Sequence, residues 1–287
     1  MAMSVLDIPR VHIDAELDRQ AVFRKMCLIR QFELRVIEAT RQGAIPAVVY
    51  LSIGQEAVSA TLSELTAGFA VFAQHRCHSV YLAHGGTPVR LRDELLGLPT
   101  GCCGGVGGSP SAQDLSIPMI AYHGLIGENV SLGTGYSLAT QRPVIIYFGD
   151  GAAEEDYVLS SLGFAATHDL PVLYVCEDNG LAILTPIKDR RTWKIDDVAR
   201  SMGLATASVD DNPEAIYHAA QGLLTQLPAL INIRTERHHW HAGIGVDAPP
   251  MRDRLTEFKR CVPQAQQIEH DIEQDMEALW QEPLQKP

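Results

Sequence analysis

Two short apolar runs joined by a helical stripe constrain this chain more than any other feature. The first run is Val144-Ile145-Ile146-Tyr147-Phe148, closed by Gly149-Asp150-Gly151; the second is Val172-Leu173-Tyr174-Val175-Cys176, followed shortly by Asn179. Both are β-branched or aromatic and lack polar alternation, the pattern of parallel strands covered on both faces. Between them, from Glu154 to His168, apolar residues at Val158, Leu159, Leu162, Ala165 and Ala166 recur at helical spacing. Such a strand–helix–strand unit sends its loops out at the carboxyl ends of adjacent strands, where open α/β sheets bind ligands. Asp150 and Asn179 therefore converge. A carboxylate, an amide oxygen and a nearby main-chain carbonyl are hard ligands suited to Mg²⁺ held beside a phosphate. Gly149 and Gly151 let the backbone approach that phosphate, and the following helix offers it N–H groups.

With 287 residues and 46% hydrophobic content, the chain can bury a large core as a single domain over 1–287. A net charge of −12 argues against a nucleic-acid surface, whose footprint is basic. No apolar run approaches the ~20 residues of a membrane span, and the acidic N-terminal stretch has no signal-like apolar core. A cytoplasmic location is the resulting expectation. The six cysteines form no C-x-x-C, and the adjacent Cys102-Cys103 pair would make a strained disulfide, so reduced, buried thiols are expected.

Residues 1–17 read as an extended arm and Asp18–Gln42 as a helix, followed by a loop through Pro46 to Gln55 and a helix over Glu56–Leu65. The Gly101–Ser111 segment is irregular. Gly133–Thr140 reads as a small-residue helix packing closely on the sheet. Further on come a helix near Ile195–Met202, a strand near Ala205–Val209, a helix at Pro213–Thr225 and a strand at Ala229–Arg234. An acidic amphipathic helix over Gln264–Gln281 opens the C-terminal segment, 264–287.

The stretch from Gly149 to Pro186 resembles the thiamine-diphosphate motif, which runs from a GDG to a late Asn. More narrowly, the chain resembles the alpha subunit of the first, decarboxylating component of 2-oxo acid dehydrogenase complexes. Met26 to Glu33 is similar to that family's opening helix, and Ile53-Gly54-Gln55-Glu56-Ala57-Val58 to its GQEA turn. Gln74-His75-Arg76 stands where the family has a Tyr-Arg pair, and Gly124-Leu125-Ile126-Gly127 where it has Gly-Ile-Val-Gly. Arg237-His238-His239-Trp240-His241 resembles its Arg-Tyr-His-Gly-His segment.

The resemblance implies a thiamine-diphosphate-binding fold: a mostly parallel central sheet with helices on both faces, plus helical N- and C-terminal extensions. It implies thiamine diphosphate and Mg²⁺ as cofactors, with Asp150, Asn179 and the carbonyl of Leu181 on the metal. Gln74, His75, Arg76, Gly124, Ile126, Gly149, Asp150, Gly151, Ala152, Asn179, Leu181 and His241 would hold the cofactor, Ile126 against its ring. His241 would be the catalytic loop histidine, with His239 as a second. Decarboxylation of a small, pyruvate-like 2-oxo acid and acyl transfer to a lipoyl carrier would follow, with a lipoyl acyltransferase as a further partner. A separate beta subunit, in an α₂β₂ heterotetramer, would supply the Glu that activates the cofactor.

Alternatives stay open: a branched 2-oxo acid as substrate, an acetoin-type subunit, a carboligase of a specialised pathway, and a scaffold subunit that has lost the cofactor. Val48 and Tyr50, just before the GQEA turn, are candidate pocket residues. Glu154-Glu155-Asp156 reads as a helix-start cluster facing the dipole rather than as catalytic acids. The glycine stretch Gly101–Ser111 lacks a Walker ending and the family's basic residues, and reads as a mobile loop near the entrance. Ala242-Gly243-Ile244-Gly245 follows the loop histidine where mitochondrial members carry phosphorylatable serines, so phosphorylation control there is not expected. The C-terminal end reads as shorter than in typical members.

Overall fold

Alternation of apolar side chains between two faces organises the molecule, whose structure is a computed structural model describing residues 16–120, 124–247 and 251–281. The expected N-terminal arm lies almost wholly outside the described residues, as does the tail beyond Gln281. Among the described residues, six parallel strands form one sheet in the order β2-β1-β3-β4-β8-β7. They are β1 (Ala70–Phe72), β2 (Met119–Ile120), β3 (Val144–Gly149), β4 (Val172–Asp178), β7 (Ala205–Asp210) and β8 (Ala229–Arg234). A separate antiparallel hairpin pairs β5 (Leu181–Ala182) with β6 (Thr185–Pro186).

In β3, Val144, Ile146 and Phe148 enter one apolar cluster and Ile145 and Tyr147 the other. In β4, Val172, Tyr174 and Cys176 divide from Leu173 and Val175 in the same way. Both faces are thus apolar with period two, which requires helices on both. One face carries α5 (Glu128–Thr140), α6 (Asp156–Thr167) and α7 (Ile195–Ser201). The other carries α1 (Arg19–Arg41), α2 (Glu56–Leu65), α3 (Cys77–Ala83), α4 (Pro88–Leu95), α8 (Pro213–Leu224), α9 (Arg254–Lys259) and α10 (Ala265–Gln281).

The expected helices and strands lie where the patterns put them, within a residue or two at most ends. Asp18 caps α1 by accepting from Ala21 N at 3.0 Å. The small-residue helix begins earlier than expected, at Glu128, and does sit close on the sheet. A Cβ on Gly133 would lie 2.6 Å from Ile146 Cδ1. The acidic cluster lies at a helix start as expected, but it is divided between two elements. Glu154 closes a 3-10 turn (Ala152–Glu154), Glu155 is the N-cap residue, and the helix proper starts at Asp156. Glu154 is held by Arg190 instead of a helix end.

The glycine stretch is also not a bare mobile loop. Glu94, at the end of α4, is buried inside it and accepts four main-chain N–H groups. Cys103 N and Gly105 N reach Oε2 at 2.7 and 2.9 Å, and Gly107 N and Gly108 N reach Oε1 at 2.7 and 3.0 Å. The loop cradles an anion, but the anion belongs to the chain. Glu94 also lies within 4.8 Å of Cys102 and Cys103, yet its oxygens are already occupied by those donors. All six cysteines are free thiols; Cys27, Cys77 and Cys176 are buried, Cys102 and Cys103 half-buried and Cys261 exposed. No helix among the described residues is long and apolar enough to cross a membrane.

Candidate active site

Four strands that are neighbours in the sheet, β1, β3, β4 and β8, each send a loop from the carboxyl end toward one cavity of about 240 Å³. Gln74, His75 and Arg76 follow β1; Gly149, Asp150, Gly151 and Ala152 end or follow β3. Asn179 and Leu181 come after β4, and Arg237 and His241 after β8. Ile126 enters from the turn before α5. The cavity thus gathers nearly all the residues singled out from the sequence. Gly124 and His239 are not in its lining. His239 lies in the turn that pairs with Val246, its Nδ1 3.3 Å from Ile244 O.

Arg76 is almost fully buried, and its hydrogen bonds go to neutral groups: Nη1 to Leu51 O at 2.9 Å and Nη2 to His241 O at 3.0 Å. Burial, together with neighbouring Arg237, brings its pKa down to about 10. A guanidinium so placed is under-neutralised and suited to an anionic ligand. Arg237 is already paired, donating to Asp247 through Nε at 2.7 Å and Nη2 at 3.3 Å.

His75, His241 and Tyr50 form an aromatic trio. The two imidazole centroids are 5.0 Å apart, and Tyr50 stands edge-on to them at 5.2 and 5.6 Å. Burial, then Arg76 and Arg237, lowers the His241 pKa to about 4; burial and the Arg76 charge also hold His75 well below its ordinary value. Both rings are neutral at pH 7. Arg76 Nη2 lies 3.5 Å from His241 Nδ1. Because a guanidinium only donates, that contact favours the tautomer with the proton on Nε2. Neither candidate pocket residue lines the cavity: Tyr50 packs behind His75 and His241, and Val48 is exposed.

The landmarks outside the cavity hold its rim. Glu33 accepts from Ser52 N at 2.7 Å and faces His78 Nδ1 at 3.1 Å; His78 Nε2 is 2.9 Å from Ser109 Oγ, which accepts from Tyr50 N at 2.8 Å. This Glu–His–Ser line is fully buried, so it fixes the Tyr50 loop rather than attacking a substrate. Arg30 joins Glu56 at 2.5 Å and Asp253 at 3.0 and 3.1 Å, and Glu56 accepts Gly54 N at 3.0 Å. Gly54 has φ +96°, and a Cβ there would sit 2.3 Å from Glu236 O. Only glycine lets the rim loop touch the loop after β8.

Glu177, in β4, is a cavity residue the sequence reading passed over. It is buried and accepts from Gln74 Nε2; burial pushes its pKa up to about 7. Its place among apolar strand residues hid it, though a carboxylate inside a buried run is itself a signal. Asn129, at the start of α5, was also missed: Nδ2 donates to Tyr147 O at 2.6 Å while Oδ1 is buried with no hydrogen-bond partner.

Asp150 is buried at the head of the cavity and accepts from Arg190 Nη2. Asn179 Oδ1 accepts one N–H, from Leu181 at 3.1 Å, and keeps a lone pair. A Cβ on Gly149 would meet Gln74 Oε1 at 3.2 Å, and one on Gly151 would meet Ala182 Cβ at 3.0 Å. Hard oxygen donors, a close backbone approach and a buried cation at Arg76 fit a small divalent ion with a diphosphate.

Solved transketolases share this fold. The enzyme from Campylobacter jejuni superposes with a TM-score of 0.60 at 12% identity, covering 94% of this chain and 49% of its own. One from Leishmania mexicana gives 0.59 at 14%, covering 93% and 46%. This chain spans about half the length of those proteins, and at such identity the likeness is one of architecture.

Within that architecture the sequence is more specific. Residues 24–270 match the dehydrogenase E1 component family, and the chain belongs to it. It is 32% identical over 294 residues to the alpha subunit of an acetoin:2,6-dichlorophenolindophenol oxidoreductase from Cupriavidus necator, covering 92% of this chain and 88% of that one. It is 30% identical over 234 residues to a pyruvate dehydrogenase E1 alpha subunit from Rickettsia felis, covering 77% and 72%. The chain is therefore an enzyme component of the 2-oxo acid dehydrogenase E1 alpha type.

Proposed function

We propose that this chain is the alpha subunit of a thiamine-diphosphate- and Mg²⁺-dependent enzyme that releases a small acyl group from a 2-oxo acid such as pyruvate and passes it to a lipoyl carrier. The observation that carries this reading is the convergence of Asp150, Asn179, Arg76 and His241 from four adjacent strand ends on one cavity. Asp150, Asn179 and the Leu181 carbonyl would hold the metal. Gln74, Arg76 and the Gly149–Ala152 turn would hold the diphosphate, with Ile126 against the ring. When bound, the cofactor supplies a carbon nucleophile and an electron sink.

The residues of this chain bind, orient and donate hydrogen bonds. Arg76 matches the diphosphate charge in a buried setting where such a pair is strong. Neutral His241 can donate a hydrogen bond from Nε2–H to an oxygen that gains charge during the reaction. Tyr50 and His75 restrain its ring. The pyrimidine-activating carboxylate would come from a beta subunit, in an α₂β₂ assembly. The Cupriavidus necator likeness favours a second reading, acetoin as substrate. It needs the same binding residues and breaks a carbon–carbon bond beside a carbonyl.

The test is Asp150→Ala in the enzyme purified with its partner. Thiamine diphosphate retention should be lost while the circular dichroism spectrum is kept; unchanged cofactor affinity would sink the metal assignment. Turnover of pyruvate against acetoin separates the two substrate readings.

A further inference from the structure

Arg190 occupies the carboxylate that the reading above gives to the metal. It lies just past a 3-10 turn (Ile187–Asp189), and its three guanidinium nitrogens address three acceptors: Nη2 donates to Asp150, Nη1 to Glu154, and Nε to Thr185 O at 3.2 Å. The side chains of Arg190 and Asp150 are 10% and 2% exposed. Three directed bonds on a nearly buried planar group define one position, not a surface encounter.

Leu181, whose carbonyl would be a metal ligand, opens the same short segment. The β5–β6 hairpin joins Leu181 to Pro186, and Thr185, bonded by Arg190, lies in its second strand. Both ends of the segment thus rest on one site. The exposed hairpin tip, Ile183 and Leu184, projects from between them.

We propose that Arg190 is an internal counter-ion that competes with the divalent cation for Asp150 and sets the metal affinity of the site. The inference rests on the metal reading of Asp150 and goes beyond it. A cation arriving at Asp150 meets a carboxylate already neutralised, so binding costs the Asp150–Arg190 pair. Displacement frees the latch on Thr185 and couples metal entry to the position of the hairpin. Arg191 is the natural control: it lies 3.6 Å from Glu154 and stacks 4.3 Å over Trp193, with no bond to Asp150.

The experiment measures Mn²⁺ binding by the electron paramagnetic resonance of the free ion, without turnover. The enzyme is purified with its partner subunit and supplied with thiamine diphosphate. Arg190→Met keeps the stem and removes the charge; it should tighten Mn²⁺ binding about tenfold, while Arg191→Met stays within about twofold of the parent. Metal-free Arg190→Met should melt below the parent, and saturating Mn²⁺ should close that gap. Arg190→Lys, which keeps the charge on a single donor, should bind Mn²⁺ with intermediate affinity and decides the matter if the Met variant does not fold. Equal or weaker Mn²⁺ binding in both Arg190 variants overturns the proposal and leaves the metal site standing. No Mn²⁺ binding by any of the proteins overturns the metal reading as well.

Discussion

Replacing Glu177 with Gln should stabilise the protein, and only above a definite pH. The carboxyl is buried at the cavity floor and its pKa rises from the ordinary 4.5 to about 7, chiefly through burial. The folded chain therefore holds a proton there that the unfolded chain has released, between about pH 4.5 and 7. Across that window stability falls as pH rises, because the folded state binds more protons than the unfolded state. Below it both states are protonated and nothing is lost; above it both are ionised and the whole penalty stands. From 4.5 to about 7, at ~1.4 kcal/mol per pH unit, the penalty is ~3 kcal/mol. For a chain of 287 residues, about 2 °C per kcal/mol makes this a difference of ~6 °C in Tm. Glutamine keeps an oxygen for Gln74 Nε2 and carries no charge. Thermal melts of parent and Glu177→Gln, without cofactor, across about pH 5 to 8.5 should show the variant's advantage growing from near zero to several degrees. A difference that stays flat, or grows toward acid, would refute the assignment of a proton to that carboxyl.

His241→Ala should lower kcat by roughly 10²-fold, the usual scale for removing a hydrogen-bond donor to a developing charge, with Tm nearly unchanged. His239→Ala, outside the cavity, should cost less; equal losses would show that the histidine register is wrong. The neutral state of His241 down to about pH 4 means that it adds no activity inflection between about pH 5 and 8. Gly54→Ala should destabilise by about 2 kcal/mol or more, through strain at positive φ and collision with Glu236 O; a chemical melt with an unshifted midpoint would contradict that. Native mass measurement of the complex should return two of these chains with two beta subunits, and a fully active oligomer of this chain alone would exclude the proposed division of labour.

Much of the fold was legible because its signals are local. The run 144–148, the stripe at Val158, Leu162 and Ala165, and the run 172–176 each carry their own period, so strand, helix and strand follow from neighbours in the chain. The helix Glu56–Leu65 and the strand Ala229–Arg234 match the structure residue for residue. The short strands Ala70–Phe72 and Met119–Ile120 did not show, since three and two residues are too few to hold a period. They exist because β1 pairs with β3, and β2 with β1. At the site, local motifs placed Asp150, Asn179, Arg76 and His241 at strand ends, and strand adjacency brought them to one cavity.

What tertiary structure alone decided is which charge meets which. Arg190 and Asp150 are 40 positions apart, and Arg76 and His241 are 165 apart. Glu94 reads as one more acid on a helix until the glycine loop closes over it with four N–H groups. Glu177 reads as the end of a strand until the cavity opens beside it. A periodic pattern reports which side of its own element a residue faces. The partner of a buried charge, and hence its pKa and its readiness to bind a ligand, depends on distances between elements that packing sets and no local pattern contains.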